Sequence, residues 1–288
     1  MRDITASMVD LAVRGYLKIE ERERTGFTSM FKGNAYSSQL LKELDQWGEE
    51  LQSHERALLG GLFNGGFLNS VDLDDLENEF YKHVDDIKDG VHSRLLGLGF
   101  YHHRPDKVIA AYVGSGIALT VFMMMGLGFF GDALSLPMGS SVVASLLSAL
   151  PVIGFGFVMP ARTVNGARQL EHVLGFQEFL DRVESDHFRR MIDSPHMFKR
   201  YLPHAMALQV EKKWARAVDD LYKEPPDWYS GPAGHRFRPT IFVSDLGSMT
   251  GWVKSAMTSQ PRSGGGSGFS GGGGFSGCGF GGGGGGGF

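Results

Sequence analysis

Residues 108–130 read VIAAYVGSGIALTVFMMMGLGFF, and residues 138–159 read MGSSVVASLLSALPVIGFGFVM. Neither stretch contains an ionisable side chain. A run of about 18 or more apolar residues is long enough to cross the hydrocarbon core of a bilayer as an α-helix. Because only a short connector separates the two stretches, they predict a transmembrane helical hairpin over residues 108–160. The alternative, a buried helical hairpin of a soluble protein, rarely needs two helices that are uncharged on every side.

Small residues recur at every fourth position of both stretches. They are Ala110, Gly114 and Ala118 in the first, and Ser141, Ser145 and Ala149 in the second. Such spacing lets helices approach closely in lipid, within the hairpin or by self-association of the spans. The alternative interpretation is the ordinary composition of membrane helices. Pro151 predicts a kink in the second span.

Charged residues flank the hairpin asymmetrically. Arg104 and Lys107 precede it and Arg162 and Arg168 follow it, whereas the connector carries only Asp132. Lysine and arginine near the ends of spans favour the cytoplasmic side. We therefore expect a multi-pass protein of the cell (inner or plasma) membrane with both termini in the cytoplasm. The absence of charge within the spans argues against an ion or proton pathway.

The charge, the cysteine content and the opening residues bear on where the protein is located. The net charge is −4 and Cys278 is the single cysteine, so no internal disulfide is encoded. The opening residues, MRDITASMVDLAVRGYLKIEERE, lack the apolar core and cleavage site of a signal peptide. We expect the amino terminus to stay in the cytoplasm.

The segment before the hairpin, residues 1–107, predicts a mainly helical cytoplasmic domain with small β-ribbons. Thr5 or Ser7 is placed to cap a first helix that ends near Gly15, and the runs Tyr16–Glu23 and Phe27–Phe31 suit a β-hairpin. A helix followed by a β-hairpin is the skeleton of a winged helix. Four further helices are predicted, over Ser37–Trp47, Ser53–Phe63, Asp72–Tyr81 and Val84–Leu98.

Charge argues against nucleic-acid binding by this winged-helix-like segment. Residues 1–107 hold 13 basic and 19 acidic side chains. A surface that neutralises phosphates needs the opposite balance. Winged-helix folds also bind proteins, so the fold leaves the function open.

The segment after the hairpin, residues 161–262, predicts a second cytoplasmic helical region. Thr163 is placed to cap a long helix from Val164 to about Met191, and a second helix is predicted over Pro203–Leu221. Trp228 and Tyr229 are interpreted as packing anchors, with a ligand-binding aromatic pair as the alternative.

The last residues, 263–288, are almost entirely glycine and serine with interspersed phenylalanines. This low-complexity composition predicts a disordered tail, in which the phenylalanines act as weak stickers or have no role.

No catalytic, cofactor-binding or metal-binding set is predicted. His54-Glu55 lacks the second histidine of a helical zinc motif, and His102-His103 near Asp106 lacks further ligands at diagnostic spacing. A headgroup-level position explains this histidine pair better. Cys278 has no neighbouring base to activate it. We therefore expect a protein without enzymatic activity and without a cofactor.

Several stretches together resemble one family. They are ITASMVDLAVRGYLKIEE, FYKHVDDIKDGVHSRLLGLGFY, MPARTVNGARQLEHVLGFQEFLDRVESD, YLPHAMALQVEKKWA, PPDWY and the glycine-serine-phenylalanine tail. In this order they are similar to the carboxy-terminal half of the YciQ-like predicted bacterial membrane proteins, whose function is uncharacterised. The resemblance implies a cytoplasmic region interrupted by a membrane hairpin. No catalytic residue is established for the family, so none is carried over.

Fuller members of that family carry a signal peptide, an extracytoplasmic β-rich domain and another span ahead of this region. Met1 falls where their cytoplasmic part begins, so a truncated gene product and a reduced relative both remain open.

Three classes of function follow. The first is a non-enzymatic membrane-anchored scaffold or interaction protein with unknown protein partners. The second is a membrane-tethered nucleic-acid-binding regulator. The third, an enzyme, rests on no feature of the sequence.

Overall fold

The computed structural model describes residues 2–23, 34–43, 47–48, 50–130, 138–182, 195–232 and 237–259. Within these ranges the fold is mainly helical, as predicted, and the strands form one small mixed sheet. The helices are α1 (Arg2–Val13), α2 (Ser53–Leu62), α3 (Val84–Gly97), α4 (Pro105–Phe130), α5 (Met138–Val158), α6 (Val164–Asp181), α7 (Pro195–Ala207), α8 (Glu211–Val218) and α9 (Pro239–Thr258). The strands are β1 (Leu17–Arg22), β2 (Ala35–Leu40), β3 (Ser70–Asp72) and β4 (Tyr229–Ser230).

The sheet joins distant parts of the chain. Its strand order is β3-β2-β1-β4, in which β2 is antiparallel to both β1 and β3, whereas β4 is parallel to β1. Leu17 pairs with Leu40, and Ile19 pairs with Tyr229. The segment after the helices α4 and α5 therefore supplies an edge strand to a sheet begun near the amino terminus.

One hydrophobic core serves the segments on both sides of α4 and α5. Leu11 of α1, Leu202 of α7, Trp214 of α8 and Met249 of α9 are fully or almost fully buried in the same cluster. Burying each such side chain stabilises the fold by about 1.5–3 kcal/mol. We call this joint unit the body; the predicted domain boundaries at residues 107 and 161 stay a prediction.

The first predicted helix and strand are confirmed. α1 begins already at Arg2, so neither Thr5 nor Ser7 caps it; the Ser7 hydroxyl instead donates to the carbonyl of Asp3 inside the helix at 2.9 Å. The run Phe27–Phe31 lies outside the described residues, and the strand that pairs with β1 is β2.

Two predicted helices in the first segment are wrong. Ser37–Trp47 was predicted helical, but its first residues form β2, because strand pairing on both sides satisfies their backbone and overrides local propensity. The stretch Asp72–Tyr81 forms two short 3-10 turns. Asn78 between them has φ +66°, a left-handed conformation through which an α-helix does not continue. The predicted helices over Ser53–Phe63 and Val84–Leu98 are confirmed as α2 and α3.

The helices of the last segment differ from the prediction in their ends. The single helix predicted over Pro203–Leu221 is two helices, α7 and α8, because Gln209 between them adopts φ +63°. α6 is capped by Thr163 as predicted but ends at Asp181; residues 183–194 lie outside the described part of the chain. The predicted disordered tail, with Cys278, also lies outside it.

The helix α9 was not predicted from sequence. Asp219, which follows α8, accepts hydrogen bonds from the Thr240 amide at 3.1 Å and the Thr240 hydroxyl at 2.8 Å, and so caps α9. Burial tends to raise the pKa of Asp219, but hydrogen bonds from Arg238 and Thr240 outweigh it and lower the pKa below its usual value. This cap is contributed by a residue outside the helix, so the local signal for the start of α9 is limited to Pro239 at its first position.

Candidate functional site: the apolar helix pair and its attachment to the body

The outer surface of α4 is apolar. Phe122, Met125 and Phe129 are among its exposed side chains, and Phe129 is 85% exposed. Among the described residues, only the helix over Pro105–Leu127 is long and apolar enough to cross a membrane by length and composition. An apolar patch of this extent is rare on a monomer in water. The first predicted span is therefore confirmed as a candidate membrane span.

The helix α5 has the same kind of surface but a shorter apolar length. Phe155, Phe157 and Val158 are exposed, and the described apolar part runs over Val142–Val158. The helix continues through Pro151. The second predicted span is thus an apolar helix, and its crossing of the membrane stays a prediction.

Three hydroxyl groups in the described part of the pair are bonded within their own helices. Thr120 donates to the carbonyl of Gly116 at 2.9 Å, Ser145 to that of Val142 at 2.9 Å, and Ser148 to that of Ser145 at 2.8 Å. In a lipid environment no water is present to pair with a free hydroxyl. These internal bonds therefore suit an apolar surrounding.

Two glycines bring α4 and α5 into close contact. A Cβ atom at Gly116 would lie 2.6 Å from Cγ1 of Ile153, and one at Gly156 would lie 2.7 Å from Cβ of Tyr112. Real Cβ atoms essentially never come this close to a neighbour. A larger residue at Gly156 would press on Cβ of Tyr112, which side-chain rotation moves little, and one at Gly116 would require the side chain of Ile153 to shift.

The predicted small-residue stripes contribute unequally to this contact. Ser145 and Ala149 of α5 are buried against α4, as close packing requires. Ala110, Gly114 and Ala118 of α4 are exposed. The packing face of α4 is the face of Gly116, which the four-residue spacing did not identify.

A junction ties the start of α4 to the end of α5. The Thr163 amide donates to the Phe100 carbonyl at 3.0 Å. The Thr163 hydroxyl donates to the Gly99 carbonyl at 2.6 Å and accepts a hydrogen bond from the Gly166 amide at 3.0 Å. A Cβ atom at Gly166 would lie 2.2 Å from the Phe100 oxygen. Only glycine fits here, so the loop before α4 packs directly on the first turn of α6.

Side chains reinforce the junction. Tyr101 and Arg162 form an isolated antiparallel bridge, and the Arg162 Nε donates to the Tyr101 hydroxyl at 3.2 Å. Arg104 contacts the carboxylates of Asp89 and Asp106 at 2.5 and 2.8 Å. Of the four flanking cations, Arg104 and Arg162 therefore make side-chain contacts at the base of the helix pair, although Arg162 is exposed, as Lys107 and Arg168 are.

Glu55, which follows His54 in the incomplete zinc motif, forms an ion pair with Arg14. The Glu55 carboxylate accepts two hydrogen bonds from the Arg14 guanidinium, at 2.9 and 3.2 Å, and one from the backbone N–H of Gln52. Burial lowers the pKa of the adjacent His54. Among the described residues, no group of three or more His, Cys, Asp or Glu is arranged to hold a metal ion.

The aromatic pair is buried, whereas the histidine pair before α4 is exposed. Trp228 and Tyr229 are both buried in the core of the body. His102 and His103 are exposed beside the junction.

The family follows from comparison with known sequences. The family described as the carboxy-terminal domain of predicted membrane proteins (DUF2207) matches residues 1–218. The chain belongs to this family of predicted membrane proteins. The match covers the first segment of the body, the helix pair and the junction, and it confirms the family resemblance seen in the sequence. No curated protein and no solved structure matches the chain.

Proposed function

We propose that this chain is a membrane-anchored scaffold in which α4 and α5 both cross the bilayer as a hairpin and the body lies in the cytoplasm. The observation that carries the proposal is the junction. Because Tyr101, before α4, is bridged to Arg162, after α5, the helix pair enters and leaves the membrane on the same side. The exposed apolar side chains of both helices then face lipid.

Charge orients the hairpin. Arg104, Lys107, Arg162 and Arg168 lie at its base, and Asp132 is the one charged residue of the connector. The bias of lysine and arginine towards the cytoplasmic side places the base, and with it both termini, in the cytoplasm. The membrane is the cell membrane, and the protein is multi-pass.

Cysteine labelling tests this topology. In a Cys278→Ser background, Ser135→Cys in the connector should react with a membrane-impermeant maleimide in intact cells. Ser53→Cys in α2 and Ser255→Cys in α9, both at exposed positions, should react only after lysis. Labelling of Ser53→Cys or Ser255→Cys in intact, sealed cells would overturn the topology. Protection of Ser135→Cys in such cells, with labelling after lysis, would show that the connector does not cross.

The scaffold role rests on the surface of the body. α1 followed by the β1–β2 ribbon keeps the helix-then-hairpin order of a winged-helix module, and such modules serve as protein-binding units. Phe67 is 88% exposed, and the neighbouring Leu68 is also exposed. Exposed aromatic side chains commonly become the buried anchors of protein interfaces.

Site-specific photo-crosslinking in cells tests this role. A photo-reactive amino acid at Phe67 should give discrete crosslinked protein adducts, whereas one at the exposed Asp85 of α3 should not. Absence of adducts from Phe67, or the same adducts from both positions, would remove this surface from the proposed mechanism.

A further inference from the structure

A cavity of about 580 Å³ opens into the body beside the edge strand β4, away from the helix pair. It lies between β1, β4, the loop before β4 and the first turns of α9. Its volume falls within the range of small-molecule sites, about 300–1,000 Å³. Neither the family resemblance nor the proposed scaffold role accounts for it.

A buried carboxylate lines one end of the cavity. Glu21 of β1 is 3% exposed and accepts hydrogen bonds from the Asn34 amide, the Tyr36 hydroxyl and the Tyr229 hydroxyl. In the part of the chain that the structure describes, all of these partners are neutral. The nearby cations of β1, Lys18 and Arg22, pair with Glu20 instead.

Both tyrosines that bind this carboxylate donate their hydroxyl protons to it. Burial, together with the charges of Glu21 and Asp245, raises the pKa of both Tyr36 and Tyr229 far above the usual range. Both hydroxyls therefore remain protonated donors. Burying a carboxylate costs free energy, and a bound cation would offset part of that cost.

The wall next to this carboxylate is aromatic. The rings of Tyr229 and Phe242 meet edge to face with centroids 4.5 Å apart, and the ring of Phe237 lies 5.4 Å from that of Phe242. Ile241 completes the apolar side. An aromatic wall beside a carboxylate is the combination that recognises an organic ammonium group, through an ion pair and cation–π attraction.

Two cations and a second carboxylate also line the cavity. Arg238 is held by the carboxylate of Asp219 at 2.9 Å. Lys223 is exposed. The second carboxylate, Asp245, accepts the Tyr36 hydroxyl through its backbone oxygen at 2.9 Å. Among the described charged residues that line the cavity, Glu21 is thus the buried one, and Lys223 and Arg238 lie at exposed positions.

We propose that this cavity binds a small organic ammonium compound, with the ammonium group at Glu21 and an apolar body against Phe237, Ile241 and Phe242. The probe is 2-phenylethylamine, and its matched anionic counterpart is 3-phenylpropionate. The two share a phenylethyl body and differ in the sign of the charge.

Binding is measured by isothermal titration calorimetry on the full chain in lipid nanodiscs, with empty nanodiscs subtracted. 2-Phenylethylamine should bind saturably, and 3-phenylpropionate should not bind at concentrations up to about 10 mM, at which even a millimolar site would be mostly filled. Saturable binding of the acid with equal affinity, or no binding of the amine, would overturn the proposal.

Three variants locate the site. Glu21→Gln keeps the shape of the side chain and removes its charge, and should weaken amine binding about tenfold or more. Glu20→Gln, the neighbouring glutamate on β1, should bind as the unchanged chain does. Ile241→Trp starts from a half-exposed position at the wall, so it should fold normally and reduce binding by filling the cavity.

The outcome does not depend on Glu21→Gln alone. If that variant fails to fold, loss of binding in Ile241→Trp still supports the site. Unchanged amine affinity in a folded Glu21→Gln or in Ile241→Trp would place the amine elsewhere and end the proposal.

Discussion

The substitution Gly166→Ala tests whether the junction holds the helix pair on the body. A methyl group at this position would lie 2.2 Å from the Phe100 oxygen, a backbone atom that no side-chain rotation can move. The first turn of α6 and the loop before α4 must therefore separate by about 1 Å to restore an ordinary contact.

The cost of that separation follows from the contacts it breaks. The Thr163 amide and hydroxyl lose their bonds to Phe100 and Gly99, which are 3.0 and 2.6 Å long. Each contributes about 1 kcal/mol, and distortion of the adjacent Thr163 cap adds up to about 1 kcal/mol. We expect the junction to lose about 2–3 kcal/mol in its free energy of opening.

Gly175→Ala is the matched control. Gly175 lies in the same helix, and a Cβ atom there would meet nothing within 4 Å. Alanine has the higher helix propensity, so this variant should be stabilised by about 0.5–1 kcal/mol. Replacing glycine with alanine in this helix is thus expected to lower stability at position 166 and to raise it at position 175.

Hydrogen–deuterium exchange of the full chain in detergent micelles measures the effect. A loss of 2–3 kcal/mol should speed exchange of the Thr163 amide by about 30- to 150-fold in Gly166→Ala. Gly175→Ala should leave that amide unchanged or slower. Equal exchange in both variants would refute the close contact at Gly166 and the rigid attachment argued from it.

Two further predictions concern the body and the helix pair. Asp219→Asn should destabilise the body by about 1–2 kcal/mol at pH 7, because it weakens the cap on Thr240. The pKa of Asp219 is lowered from 3.8, so its contribution is complete above that pH and is lost as the pH falls through the lower folded-state value. Urea titrations at several pH values should show the two proteins converging below pH 3.8, and a difference independent of pH would contradict this. Gly156→Ala should lower the melting temperature in detergent, because its methyl group meets Tyr112, at a cost of about 1–3 kcal/mol. Gly154 lies on an open face of the same helix, so Gly154→Ala should not lower the melting temperature. Equal melting temperatures of the two variants would disprove the contact between Gly156 and Tyr112.

The sequence determined the features that depend on local composition. The apolar stretch that became α4 could be recognised because membrane crossing requires only length and the absence of charge. The Thr163 cap and the helices α2 and α3 followed from side-chain types at fixed local spacing. These signals lie within a few residues of the structure they specify.

Tertiary structure decided the features that depend on distant partners. Tyr229 pairs with Ile19, more than 200 residues earlier, and no local period marks such a parallel pairing. Asn78 and Gln209 end helical turns in left-handed conformations that sequence rules assign mainly to glycine.

The close contact at Gly166 and the burial of Glu21 could not be predicted from the sequence for the same reason. Gly166 is one glycine among 42, and only the position of Phe100 across the junction shows that a side chain cannot fit there. In the sequence Glu21 is one more charge on a half-exposed strand, and only its contacts with Asn34, Tyr36 and Tyr229 show that it is buried beside a cavity. A sequence specifies which residues are apolar or charged, but burial and close approach are properties of two segments together, so they exist only in the folded chain.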